Sequence, residues 1–183
     1  RWCVVQPKKK IHQERKTCLL VRLRLIKNQA DNNVGISYLA LQANTTGTQN
    51  TAVGTSALDA SSTASYNTAI GAEALTSATT GASNVAIGRN SLSLNTTASN
   101  NTAVGSLSLY ANTTGTQNTA VGGRALDANT TANNNTAVGF DALTNNTTGA
   151  ENVAIGTNAL ANNTTAPNCT AVGYKALDGN TTG

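Results

Sequence analysis

The sequence predicts an all-β protein: a parallel β-solenoid (β-roll) of nine 17-residue coils, preceded by a short extended N-terminal cap. Three observations carry this. A 17-residue unit starts at Asn33, Asn50, Asn67, Asn84, Asn101, Asn118, Asn135, Asn152 and Cys169 without insertion or deletion, and a strict period of that size builds one coil per repeat. Only 3% of the 183 residues are aromatic and none is Met, too few large side chains for a globular core. Leu recurs at one phase in all nine repeats, which a disordered polar tract has no reason to do.

Two segments follow. Residues 1–32 form a basic N-terminal arm and capping strand, and residues 33–183 form the solenoid. In the arm, residues 1–15 show no periodicity, whereas Leu19, Val21, Leu23 and Leu25 alternate with Arg22 and Arg24. That alternation predicts a strand. Its expected role is to cap the first coil, because charged side chains on an end strand discourage uncontrolled edge pairing.

Counting from its first residue, each repeat carries Thr or Val at position 2, Ala at 3 (Gly35 in the first copy), Val or Ile at 4 and Gly at 5 (Ser37 in the first). Side chains alternate along a strand, so positions 2 and 4 share one face and 1, 3 and 5 the other. The β-branched face is expected to point into the coil, leaving a flat outer face of Asn, Ala and Gly. Position 8 is Ala or Ser and position 9 is Leu throughout: Leu41, Leu58, Leu75, Leu92, Leu109, Leu126, Leu143, Leu160 and Leu177. A second short strand there is expected to supply the rest of the core. Positions 12–15, typically Asn-Thr-Thr-Gly or Asn-Thr-Thr-Ala, read as a turn whose side chains bond back to the backbone. Stacking would align these residues into ladders, and no helix is expected.

Two longer periods overlie the first. Position 15 alternates Gly and Ala, and residues 44–54 repeat identically as 112–122; both read as traces of segment duplication. Each coil contributes about two sizeable apolar side chains, at roughly 1.5–3 kcal/mol each. Ordering its backbone costs about 1–2 kcal/mol per residue, so self-association is the expected state.

Charge is segregated along the chain. Residues 1–30 hold nine Lys and Arg against one acid, and the remainder holds three bases and seven acids. The arm has only Trp2 for base stacking and no nucleic-acid motif, so it reads as a protein contact rather than a nucleic-acid site. The longest apolar run, residues 18–26, is short and interrupted by Arg22 and Arg24, so no membrane insertion is expected. Three cysteines make neither a metal site nor a disulfide framework; Cys3 and Cys18 pair, or all three, with Cys169, are free thiols.

Catalysis is not expected. His12 is the only histidine and lies in the arm, while Asp59, Asp127 and Asp178 sit at position 10 of non-adjacent coils. They make neither a carboxylate dyad nor a calcium ladder, and no cofactor is called for. Ice binding is a second class, but it needs two rows of Thr facing the same way. Here Thr130 and Thr131 are adjacent turn residues, and the Thr of position 2 is expected inside. Asn-Thr-Thr recurs at Asn44, Asn95, Asn112, Asn129, Asn146, Asn163 and Asn180, and Asn168-Cys169-Thr170 has the same acceptor form. These asparagines are possible glycan acceptors or simply turn formers.

The core Asn-Val-Ala-Ile-Gly at residues 84–88 and 152–156 resembles the head repeat of YadA-type trimeric autotransporter adhesins. The wider repeat, seen at residues 118–132, is similar to repeats of phage tail-fibre proteins. The resemblance covers residues 33–183 and implies a left-handed parallel β-roll, three chains along a common axis and surface attachment. This coil is longer than the family's usual one, with the Asn-Thr-Thr-Gly turn as the apparent insertion.

The expected function is therefore structural: a rigid self-associating rod in an extracellular fibre or filament, or an adhesive head on a cell or virion surface. Its partners would be copies of itself, as a trimer or head-to-tail filament, and a host or matrix surface. The assembly arm, Leu19, Val21, Arg22, Leu23, Arg24 and Leu25, would cover the end of the next subunit. Ice binding and a virion tail-fibre segment are the alternatives.

Overall fold

The computed structural model describes residues 30–182. Nine strands run β1 (Val34–Ile36), β2 (Thr51–Val53), β3 (Thr68–Ile70), β4 (Val85–Ile87), β5 (Thr102–Val104), β6 (Thr119–Val121), β7 (Thr136–Val138), β8 (Val153–Ile155) and β9 (Thr170–Val172). They form one parallel sheet in sequence order. The register is repeat on repeat: Thr51 lies beside Thr68, Ala52 beside Ala69 and Val53 beside Ile70. The described residues contain no helix. The chain is a β-solenoid, one strand per coil. At about 4.8 Å per strand the stack is about 40 Å long. The proposed capping strand and assembly arm, with Cys3, Cys18 and His12, lie outside the described residues.

Backbone groups are paired between coils well beyond the strands. Leu58 N–H donates to Ala74 O at 3.1 Å, Ala60 N–H to Thr76 O at 3.0 Å, and Ser56 N–H back to Tyr38 O at 2.9 Å. Each coil is thus the hydrogen-bonding template for the next, which keeps the 17-residue period free of slips.

The two faces of the strand are opposite to expectation. The alanines of position 3, from Ala52 to Ala154, are fully buried, as are the asparagines of position 1 from Asn50 to Asn152, whereas Ile70, Ile87, Val121, Val138 and Ile155 of position 4 are 36–41% exposed. The cause is coil width. Leu and Ala of positions 9 and 8 fill the lumen from the far wall, and the room left opposite the strand takes a methyl group. The leucines are core residues as expected in eight coils, at most 1% exposed, but Leu177 of the last described coil is 54% exposed.

No second strand carries these leucines. Positions 6–11 form turns, and every position-9 Leu is left-handed, with φ between 49 and 55°. A bulky side chain is uncommon there. Hydrogen bonds hold it in place: Leu58 N–H donates to the next coil while its carbonyl accepts Ser61 N–H at 3.4 Å.

From the second coil to the eighth, glycine suits position 5 on two counts, while Ser37 takes the place in the first coil at φ 109°. Gly122 has φ +135°, and a Cβ there would lie 2.3 Å from Gly139 O. The alternation at position 15 also has a steric reason beyond duplication. A Cβ on Gly115 would meet Ala132 O at 2.3 Å and Asn112 Oδ1 at 2.5 Å, whereas Ala132 itself is accommodated in the next coil.

Candidate functional surface: the outward face of the sheet

With Asn and Ala turned inward, positions 2 and 4 of all nine strands form the outward face. Position 4 presents Ile36, Val53, Ile70, Ile87, Val104, Val121, Val138, Ile155 and Val172; position 2 presents Val34, Thr51, Thr68, Val85, Thr102, Thr119, Thr136, Val153 and Thr170. The charged residues of the described solenoid all lie elsewhere, at positions 6, 7, 10 and 17 and at Asp31. An uncharged, β-branched strip about 40 Å by 10 Å results, one row Val and Ile and the other mostly Thr, and an exposed patch of several hundred Å² is a candidate interaction surface. The Thr of position 2 is therefore outside, not inside as expected. The sequence signal that would have revealed this is the small Ala at position 3, which fits the narrow lumen and leaves the larger residues for the surface.

Two internal amide ladders run behind the strip. The N–H of Asn118 donates to Asn101 Oδ1 at 3.0 Å, and Asn118 Nδ2 donates to Ala132 O at 2.8 Å; the same pair of bonds recurs through the position-1 asparagines. The second ladder runs through position 12: Asn180, Asn163, Asn146, Asn129 and Asn112 each donate Nδ2 to the Oδ1 of the preceding member, ending on Asn95. Ser61 and Ala78 replace Asn in coils two and three, and the buried Ser61 Oγ has no hydrogen-bond partner.

These ladders consume most of the possible glycan acceptors. Asn44, Asn95, Asn112, Asn129, Asn146 and Asn163 are at most 1% exposed. Each donates the Nδ2 that would carry a sugar to the position-15 carbonyl of its own coil. Asn180 is half-buried; of the eight, Asn168 alone is exposed.

Arg124 Nε lies 3.4 Å from Asp127 Oδ2 and 3.5 Å from Asp141 Oδ1, on the surface. Burial raises the Asp59 carboxyl above its ordinary pKa. Burial raises Asp127 too, opposed by the hydrogen bond and charge of Arg124 and reinforced by Asp141. Asp59, Asp127 and Asp178 are not brought together, and no group of three potential metal-ligating side chains occurs among the described residues. Cys169 is a free, half-buried thiol. No described helix is long and apolar enough to cross a membrane. Comparison of the chain with protein-family models, curated proteins and solved structures returned no match.

Proposed function

We propose that this chain is a structural subunit of an extracellular fibre, filament or adhesive surface head, acting as a rigid rod that associates with copies of itself through the outward face of its sheet. The observation that carries the reading is that face: Val and Ile in an unbroken row over nine in-register strands, with no charged residue among them. Leaving such a strip in water forgoes roughly 25 cal/mol for each Å² that could be buried. The extracellular setting rests on the likeness of the repeat to adhesin heads and tail fibres, and the connecting role of the arm on its charge. Electron micrographs of the intact protein, with the mass of its smallest stable species, test the reading. Filaments or multi-chain rods are expected; isolated single-chain rods at every concentration would overturn it.

A second reading has one observation in its favour. Thr51, Thr68, Thr102, Thr119, Thr136 and Thr170 stand in one outward row, interrupted by Val34, Val85 and Val153, beside the Val and Ile row, giving stacked hydroxyl and methyl groups on one face of the sheet. Ice binding would show as faceted ice crystals and a gap between melting and freezing temperatures. Their absence would leave the fibre reading alone.

A further inference from the structure

We propose that two copies pair face to face and antiparallel, with the two-fold axis crossing the middle strand so that Val104 of one copy meets Val104 of the other. The proposal rests on the self-association reading and deepens it by naming the partner's orientation and register.

Two uncharged sheet faces can be related by a two-fold axis in two ways. With the axis along the rod, the copies are parallel and each Val or Ile of position 4 faces position 2, mostly Thr. With the axis along the strands, the copies are antiparallel and like faces like, Val and Ile against Val and Ile. The second arrangement buries the apolar row against itself and leaves the threonine row, with its hydroxyls, at one wet edge.

The order of Val and Ile along the rod then selects the register. If the first coil faces the ninth, Ile36 meets Val172, Val53 meets Ile155, Ile70 meets Val138 and Ile87 meets Val121. Every off-centre pair joins one Ile to one Val. The bulkier strands, Val-x-Ile at β1, β4 and β8, each face a slimmer Thr-x-Val strand at β9, β6 and β2. The combined side-chain volume is nearly constant along the interface, as close packing requires. A shift of one coil loses this: Ile36 would meet Ile155 while Val53 met Val138, leaving a crowded layer beside a thin one. In a parallel pair each bulky strand meets its own copy, and the thickness is again uneven. The strip offers on the order of 400 Å² per partner, about half of a standard interface, so the pairing is concentration-dependent.

Spin labels on the full chain test this, with Cys3, Cys18 and Cys169 replaced by Ser and a single Cys placed beside, not on, the face: Thr55→Cys in the second coil, Ser106→Cys in the fifth or Thr157→Cys in the eighth. All three parent residues are exposed. In the antiparallel pair the distance between identical labels is shortest for Ser106→Cys. It lengthens for the other two, whose axial offset is about 30 Å, and mixing Thr55→Cys with Thr157→Cys protein gives a short distance again. Equal self-distances at all three sites in an associated protein would overturn the antiparallel pair and leave self-association standing. A monomeric mass up to millimolar protein would overturn both.

Discussion

Asn129 Nδ2 donates to Asn112 Oδ1 at 2.9 Å across the boundary between two coils, with both side chains fully buried. The same Nδ2 lies 3.1 Å from Ala132 O, so one amide joins its own turn to the preceding coil. Replacing Asn129 with Ala leaves the Nδ2 of Asn146 and the Oδ1 of Asn112 each short of a partner. A loss of about 1–3 kcal/mol is expected, read as a lower urea midpoint with an unchanged slope.

The interruption of that ladder invites repair. Ser61 and Ala78 stand where the other coils have Asn, and Ser61 Oγ is unpartnered. Ser61→Asn together with Ala78→Asn is expected to raise stability by about 1 kcal/mol per amide bond restored. The double variant should exceed the sum of the singles, because each new amide donates to its neighbour. Additive or destabilising values in chemical denaturation would show that the coils cannot accommodate the amides.

Position 15 offers a paired test of steric alternation. Gly115→Ala drives a methyl against Ala132 O and Asn112 Oδ1 and is expected to cost about 1–3 kcal/mol. Ala132→Gly in the next coil removes only a small buried methyl and relieves no contact. Thermal melts of the two variants should therefore differ in size, with Gly115→Ala the lower.

The outward strip can be separated from the fold it rides on. Val121→Lys and Ile87→Lys alter partly exposed side chains that touch little of the core. Each is expected to leave the far-ultraviolet spectrum of the dilute protein unchanged while shifting its sedimentation toward the single chain. Unchanged association would place the contact elsewhere on the rod.

Asp59 supplies a pH dependence of known sign. Burial raises its carboxyl above the ordinary value of 3.8, so the folded chain holds this proton more tightly than the unfolded one. Its contribution is most favourable at low pH and is lost as pH rises from 3.8 through the folded pKa. Asp59→Asn should therefore be more stable than the parent at neutral pH, with the difference closing below the ordinary carboxylate range. Melting curves across that range check it.

The repeat by itself determined the period, the coil-on-coil register, the buried leucines and the side-chain ladders, since an unbroken 17-residue phase aligns identical residues whatever the coil's shape. The alternation of β2, Thr-Ala-Val, also established that Ala and the β-branched pair lie on opposite faces. It carried no sign, because a strand's period is the same from either side. The small Ala hinted at it, but only closure of the coil, which sets the width of the lumen, decided that sign. With Leu126 held left-handed and filling the lumen, the wall opposite has room for Ala120 and for an Asn118 amide that satisfies an inward carbonyl. Thr119 and Val121 are turned out to water, where they make the face a partner can meet.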